Sequence, residues 1–595
     1  MRKWSLAALV TALFLGGFLS LVSLQPVAAQ AEGCDPSISY MSLGNSYYNA
    51  NDFDRSAAAF RCAVELDLEA ALPYHWLGNA LRRGGEHQLA IDNYNQALEI
   101  DPSLAYAYNN RGWSYYNLGN YNQALADFEH ALDLDPDLVY ALNNIGIVRS
   151  RIGQQEQAIE SYTRAIERNL ELLSWTYYNR GQVYYAQNNY DAAIADFNEV
   201  LRLNPTNTVV YLDRANASSA RGNYQQAVAD FSTAIDANAA DSDSIYKRGQ
   251  AYYFEAQYDL ALADFNTILE TDPEYRDAYF YRGNVLVERG EYEAAIEDYN
   301  QAIELGMEDA FVYGGRALAS SLMGNYEQAV QDYSRALELD PNYANAFNAR
   351  GRLFADLGNY QLALSNYNRA IELNPDAFRP YYDRAELYLA LGYYDQAVED
   401  YNRVLDLGLQ DAFVYGGRAL AYQSEGNFEA AIADYTRAIE LDPEYAVAYL
   451  VRGSSYGEIG NTTAAASDYL QWLVLTQSRV TDLDVLEVGK SLQLDMEAGQ
   501  IYRVPFEAMA GEPIKITALS EGGSGADALI ILQDANGNPL IGDNNGAGNL
   551  DAAIAEFVIP ADGRYTVLVS HGGSSTSGTI DLSVELASPT FEFLP

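Results

Sequence analysis

Apolar and small residues recur in this chain with two periods at once. Within short stretches they fall at the i, i+3/i+4, i+7 spacing that lays one face of an α-helix on a core. Over longer stretches the pattern returns every 34 residues from Ser37 to Arg479, thirteen times, with one single-residue slip near Leu173. In the third unit, 105–138, Tyr108, Gly112 and Tyr115 share a face of a first helix, and Ala124, Phe128 and Ala131 share a face of a second. Gly119-Asn120 breaks the chain between them. Asp135-Pro136 closes the unit, because the residue before proline avoids the helical region. Gly112, Ala124 and Ala131 are small where two helices must approach closely. One such hairpin cannot bury its apolar faces alone, so stacked copies share a core.

The small position recurs at Gly44, Gly78, Gly146, Gly181, Gly249, Gly283, Gly351 and Gly453, and the closing proline at Pro102, Pro205, Pro273, Pro341, Pro375 and Pro443. These residues closely resemble the tetratricopeptide repeat (TPR) family over residues 37–479. The resemblance implies an α-solenoid superhelix whose first helices line a concave face. Segments 308–319 and 410–421 are near-identical and three periods apart, which points to duplication of a three-repeat block.

Comparing the copies exposes a covariation. The residue before the small position is arginine in ten units: Arg111, Arg180, Arg214, Arg248, Arg282, Arg316, Arg350, Arg384, Arg418 and Arg452. Sixteen residues later, nine of these carry aspartate (Asp127, Asp196, Asp230, Asp264, Asp298, Asp332, Asp400, Asp434 and Asp468) and one carries Asn366. Where the first position is Leu43, Leu77 or Ile145, the second is Ala59, Asn93 or Ser161. Coupled change predicts structural ion pairs between the two helices of a hairpin, a role that suits the planar fork of arginine. A ligand-binding basic stripe would not require the matched aspartate.

Residues 480–586 lose the 34-residue period and alternate instead, as in Tyr502-Val504-Phe506 and Ile580-Leu582-Val584-Leu586. Asn536-Gly537 and Asp562-Gly563 are hairpin-type turns, and about eight short strands predict an all-β sandwich. Residues such as Ala498-Gly499-Gln500-Ile501-Tyr502 and Pro560-Ala561-Asp562-Gly563-Arg564-Tyr565 resemble the bacterial pre-peptidase C-terminal (PPC) domain. That resemblance implies an accessory module of secreted proteins, sometimes binding polymer surfaces or calcium. Asp534, Asn536 and Asp543 offer oxygens for calcium, although aspartate and asparagine also simply make turns. Residues 587–595 are read as a tail.

Arg2-Lys3 followed by apolar 6–24 and small residues through Ala31 predicts a signal peptide over 1–31, with a retained anchor as the alternative. No second hydrophobic segment follows, so no integral span is expected once the signal is removed. The two cysteines, Cys34 and Cys62, fall in the first unit and are expected to form a disulfide in an oxidising compartment.

The chain carries 36 basic and 82 acidic residues, a formal net charge of −46. Such a surface excludes nucleic acid and disfavours anionic membranes. The four histidines have no metal-ligand spacing and no nucleophile or phosphate-loop motif occurs, so no enzyme, catalytic residue or cofactor is expected.

Along the first helices, TPR resemblance places ligand contacts at Tyr106, Asn110 and Trp113, at Tyr140 and Asn144, and at Trp175, Tyr178 and Asn179. Side-chain amides both donate to and accept from a peptide backbone, so the asparagines predict an extended peptide partner. The lysines of chaperone-binding TPR clamps are absent, replaced by His75, Asn109, Asn143, Tyr178, Leu212 and Tyr246. The expectation is an exported scaffold, secreted, periplasmic or at the cell surface, binding protein on its concave face. Two alternatives stand beside it. One is attachment to polysaccharide or matrix through the β-sandwich with the repeats as spacer; the other is an accessory subunit of a secreted hydrolase.

Overall fold

The computed structural model describes residues 34–168, 174–237, 241–476, 479–497, 500–520, 528–544, 552–571 and 578–587. The expected signal peptide, the slip at Leu173 and residues 588–595 of the tail lie outside the described residues. Among the described residues are twenty-six helices, numbered in chain order and paired into thirteen hairpins, followed by nine strands. The chain divides into two compact units, Met1–Ile268 and Leu269–Pro595.

The first unit holds α1 (Tyr40–Asn49), α2 (Phe53–Leu66), α3 (Ala71–Arg83), α4 (His87–Ile100), α5 (Ala105–Asn117), α6 (Tyr121–Leu134) and α7 (Val139–Arg151). It continues through α8 (Gln155–Arg168), α9 (Ser174–Ala186), α10 (Tyr190–Leu203), α11 (Thr208–Arg221), α12 (Tyr224–Asp236) and α13 (Ser242–Phe254) into α14 (Tyr258–Thr271), where the division falls. The turn between paired helices takes a left-handed residue, as at Gly119 (φ +78°) and Gly222 (φ +85°), a conformation glycine adopts without Cβ strain. The small position proves to be a seat for an aromatic ring. A Cβ on Gly78 would lie 2.7 Å from the Tyr94 ring, and one on Gly249 would lie 2.7 Å from Phe265. Tyr94, Phe128 and Phe265 are fully buried, so each hairpin closes on one large ring from its second helix.

The second unit holds α15 (Arg276–Glu288) through α26 (Thr462–Leu475) and the strands. These are β1 (Arg479–Asp482), β2 (Lys490–Met496), β3 (Gln500–Ala508), β4 (Pro513–Ser520), β5 (Ala528–Gln533), β6 (Pro539–Asn544), β7 (Ala552–Val558), β8 (Gly563–His571) and β9 (Gly578–Leu586). They form a five-stranded sheet ordered β1-β3-β8-β5-β6 and a four-stranded sheet ordered β2-β9-β4-β7. All pairings are antiparallel except β1 with β3. The sheets enclose a core that includes Val504, Phe506, Ile516, Ile530, Val567 and Leu582.

The outer face of the five-stranded sheet is not solvated. Ala465, Ala466, Tyr469 and Leu473 of α26 pack there on Ile501, Leu529, Ile531 and Leu568. A Cβ on Gly542 would lie 3.0 Å from Ala466 Cα, and Thr463 Oγ1 donates to the Leu540 carbonyl at 3.1 Å. Strand β5 is buried at every residue. That explains its unbroken Ala-Leu-Ile-Ile-Leu run, since a strand covered on both faces has no polar side.

Candidate partner-binding surface

Every predicted arginine–aspartate pair is present. In the third hairpin, Arg111 Nε donates to Asp127 Oδ2 at 2.8 Å and Nη2 to Oδ1 at 2.6 Å. The same fork joins Arg248 to Asp264 (2.8 and 2.6 Å) and Arg282 to Asp298 (2.8 and 2.7 Å). Arg350 makes one bond to its matched position, Nε to Asn366 Oδ1 at 2.9 Å, and Nη1 donates to Ser334 at 3.0 Å. Each aspartate is buried and each guanidinium lies against aromatic rings: Arg384 sits 5.7 Å from both Tyr381 and Tyr388. The hydrogen bond and charge of Asp264 hold the Arg248 guanidinium above its ordinary range, against burial. A carboxylate buried and paired this way is not presented to a ligand.

The ladder has a rung that the sequence comparison overlooked. In nine of the ten arginines the third arm of the guanidinium reaches the second helix of the preceding hairpin. Arg111 Nη1 donates to Asn95 (2.7 Å), Arg180 to Thr163 (2.8 Å), Arg316 to Asn300 (2.7 Å) and Arg452 to Thr436 (3.0 Å). Arg384 reaches Asn368 likewise. In sequence this acceptor position holds Asn, Ser or Thr in all ten units that precede an arginine, and Arg61, Glu129 or Leu470 in the other three. The signal was therefore legible two residues beyond the aspartate. In the fourth hairpin, where Ile145 replaces arginine, Arg149 one turn later pairs with Glu129 at 3.4 Å and donates to Ser161 at 3.0 Å.

The asparagines expected to hold a peptide are tied to neighbouring hairpins. Asn110 Nδ2 donates to Asn79 Oδ1 (2.9 Å), Asn144 to Asn109 (3.0 Å) and Asn179 to Asn143 (3.3 Å). Asn109 in turn donates to Asn110 Oδ1 at 3.1 Å. Each amide thus spends a donor on the hairpin before it and keeps only its remaining groups for a ligand.

Two grooves open beside this ladder. The first, about 670 Å³, is lined by Tyr48, His75, Trp76, Arg82, Tyr106 and Asn110 among others. The second, about 360 Å³, includes Tyr116, Ile147, Arg151, Asn179 and Gln182. Leu72, Tyr106, Tyr140 and Val209, at matching positions of the first helices, are each more than half exposed. Tyr140 stacks on Trp175 with centroids 5.9 Å apart and planes 8° from parallel. Trp113 stacks on Tyr116 at 5.1 Å. Tyr178 packs on Phe197, and burial followed by the charge of Asp213 raises its hydroxyl pKa. Burial, aided by Arg82, pushes His75 down to about 4, so it is neutral at pH 7 and its Nδ1 has no partner among the described residues.

The remaining candidates lie apart from this surface. Cys34 and Cys62 form a disulfide that ties the segment before α1 to α2. The carboxylate of Asp534 accepts from the Asn536 and Asn538 amides and caps its own turn. Asp543, near the far end of β6, holds the Ala553 amide at 2.8 Å. Asp534, Asn536 and Asp543 are thus not gathered around a common point.

Tetratricopeptide repeat models match residues 105–138, 174–207 and 412–445, residues 246–310, and residues 139–171 and 378–407. A TPR repeat model matches 78–119, 322–358 and 351–392. Together these cover more than half of the chain. The chain belongs to the tetratricopeptide repeat family. Among solved structures, a tetratricopeptide repeat protein from Parabacteroides merdae ATCC 43184 is 18% identical, covers 42% of this chain and 98% of its own, and has a TM-score of 0.36. YrrB, described as a TPR protein with an unusual peptide-binding site, is 24% identical over 31% of this chain and 95% of its own, TM-score 0.28. The P58(IPK) TPR domain is 18% identical over 65% and 98%, TM-score 0.31. No curated protein matches.

With the TPR register established, a charge pattern becomes visible. The first helices of TPR 1 to 5 are α1, α3, α5, α7 and α9. None of the 82 acidic residues of the chain lies in any of them. The second helices of these same repeats carry acids throughout, such as Asp92 and Glu99 in α4 or Glu156, Glu160 and Glu167 in α8.

Proposed function

We propose that this TPR protein is an exported scaffold that holds an extended segment of a partner protein along the first helices of TPR 1 to 5. TPR repeats are a protein-interaction architecture, and the finer assignment rests on one observation. The only run of five successive first helices without a carboxylate coincides with the exposed Leu72, Tyr106 and Tyr140 and with both grooves. Large exposed apolar residues at one repeated position are what an extended ligand would cover. Export is supported by the signal-like start of the sequence and by the Cys34–Cys62 disulfide, a bond typical of oxidising compartments. No helix among the described residues is long and apolar enough to cross a membrane.

The β-sandwich, whose sequence resembles PPC domains, serves in this reading as the C-terminal cap of the repeat array. The observation favouring a cap over a free attachment module is that α26 already occupies the outer face of its five-stranded sheet. The test is a comparison of full-length protein with a Tyr106→Ala/Tyr140→Ala/Trp175→Ala variant in retention of envelope proteins. Selective loss of one set of partners supports the reading; identical retention by both proteins removes it.

A further inference from the structure

We infer that the partner segment is acidic: the first-helix face of TPR 1 to 5 selects an extended peptide bearing two carboxylates about six residues apart, with large apolar residues between them. The inference rests on the proposed reading of that face and adds the chemistry of what it holds. Three observations carry it.

The first is segregation of charge. In a chain of net charge −46, five successive helices free of acid carry Arg82, Arg83, Arg111, Arg149, Arg151 and Arg180. Of the residues lining the two grooves, Asp135 alone is acidic. A locally cationic stripe on an anionic molecule attracts acidic segments and turns basic ones away.

The second is that each groove holds one arginine outside the structural ladder. Arg111 and Arg180 are consumed by Asp127 and Asp196, and Arg149 by Glu129 and Ser161. Arg82 and Arg151 form no ion pair with any described residue. Arg82 lies against the hydroxyl of Tyr94, and Arg151 against that of Tyr121. Arg82 has a buried Nε without a hydrogen-bond partner, beside the unpartnered Nδ1 of His75, which is 8% exposed. Buried donors of this kind are normally satisfied, and a carboxylate entering the first groove would meet them.

The third is spacing. Arg82 lies in the last turn of α3 and Arg151 in the last turn of α7, two repeats apart. At about 10 Å between neighbouring first helices, α3 and α7 are about 20 Å apart, a span that an extended chain crosses in about six residues. Trp113 and Tyr116, stacked at 5.1 Å in the C-terminal part of the intervening α5, lie along that interval and fit apolar side chains projecting toward the helices.

The experiment uses the full chain and two fluorescein-labelled ten-residue peptides. One has aspartates at its second and eighth positions with alternating alanine and aromatic residues between; the other has asparagine in place of both aspartates. Fluorescence anisotropy is expected to show the acidic peptide binding at least tenfold more tightly at 50 mM salt, with the margin shrinking at 300 mM. Arg82→Gln and Arg151→Gln each reduce that margin several-fold, their combination abolishes it, and Arg82→Lys keeps most of it. Equal affinity for both peptides, or tighter binding of the asparagine peptide, overturns the inference while leaving the scaffold reading in place. Failure of every peptide to bind, with the aromatic triple variant still losing partners, overturns it as well.

Discussion

The pair Arg214–Asp230 offers the sharpest test of why this array stands up. Its side chains are 15% and 2% exposed, and the carboxylate receives two bonds from Arg214, from Nε at 2.8 Å and Nη2 at 2.6 Å, and a third from Gln226 Nε2 at 3.1 Å. Asp230→Ala removes both acceptors and leaves a largely buried guanidinium with only Asn198 to hold it. Breaking a buried pair from one side costs about 3–5 kcal/mol, because the surviving charge stays desolvated. The chain itself shows how to remove the pair harmlessly, since TPR 1 has Leu43 with Ala59 and TPR 2 has Leu77 with Asn93. Arg214→Leu/Asp230→Ala should therefore be no more than about 1 kcal/mol less stable than wild type, a coupling of at least about 2 kcal/mol. A repeat array need not unfold in one step, so the assay is native-state hydrogen exchange read at α11 and α12, calibrated by denaturant. If the double variant loses as much protection as the sum of the singles, the ladder is not a coupled pair and the reasoning fails.

Other consequences follow from the same geometry. Gly249→Ala forces a Cβ to 2.7 Å from the Phe265 ring and should cost about 1–3 kcal/mol, seen as lost exchange protection in α13 and α14. His75 takes up a proton near 6.5 when unfolded but only at about 4 when folded, so acidification through that window favours the unfolded state by up to about 3 kcal/mol. His75→Gln should flatten the denaturation midpoint between pH 7 and pH 4.5; an unchanged slope would show that the charge is not excluded there. Cys34→Ser should release a 28-residue loop and cost about 3.5 kcal/mol, raising exchange in α1 and α2 while α9 to α12 stay protected. Ile531→Asp places a charge under Tyr469 and should expose α26 and β5 together, whereas independent exchange of the two would mean that the sandwich is not a cap.

Much of this was legible in the residues. The period, the turn glycines and the matched Arg and Asp depend on local geometry repeated thirteen times, and repetition makes local rules visible. The alternation in 480–586 announced strands; the described residues hold nine, the first of which, β1, begins at Arg479, inside the segment read as repeat. The third arm of the arginines escaped notice because comparison stopped at the aspartate, although Asn95, Asn300 and Asn402 held the same place two residues on. The inward turn of Asn110, Asn144 and Asn179 could not have been read, since a repeated asparagine suits a neighbouring hairpin and a ligand equally. The docking of α26 had a faint trace in the unbroken apolar β5 and in Leu470, where other repeats keep a polar acceptor for the next arginine.

The central claim is that partners lie along the first helices of TPR 1 to 5. It is tested most directly by placing a photo-crosslinking amino acid at Leu72, Tyr106 and Tyr140, and at the exposed second-helix positions Leu89 and Leu260. Crosslinked partner peptides recovered from Tyr106 and Tyr140, and absent from Leu89 and Leu260, are the predicted result. Equal crosslinking from both sets, or crosslinks only from the second helices, would contradict the account.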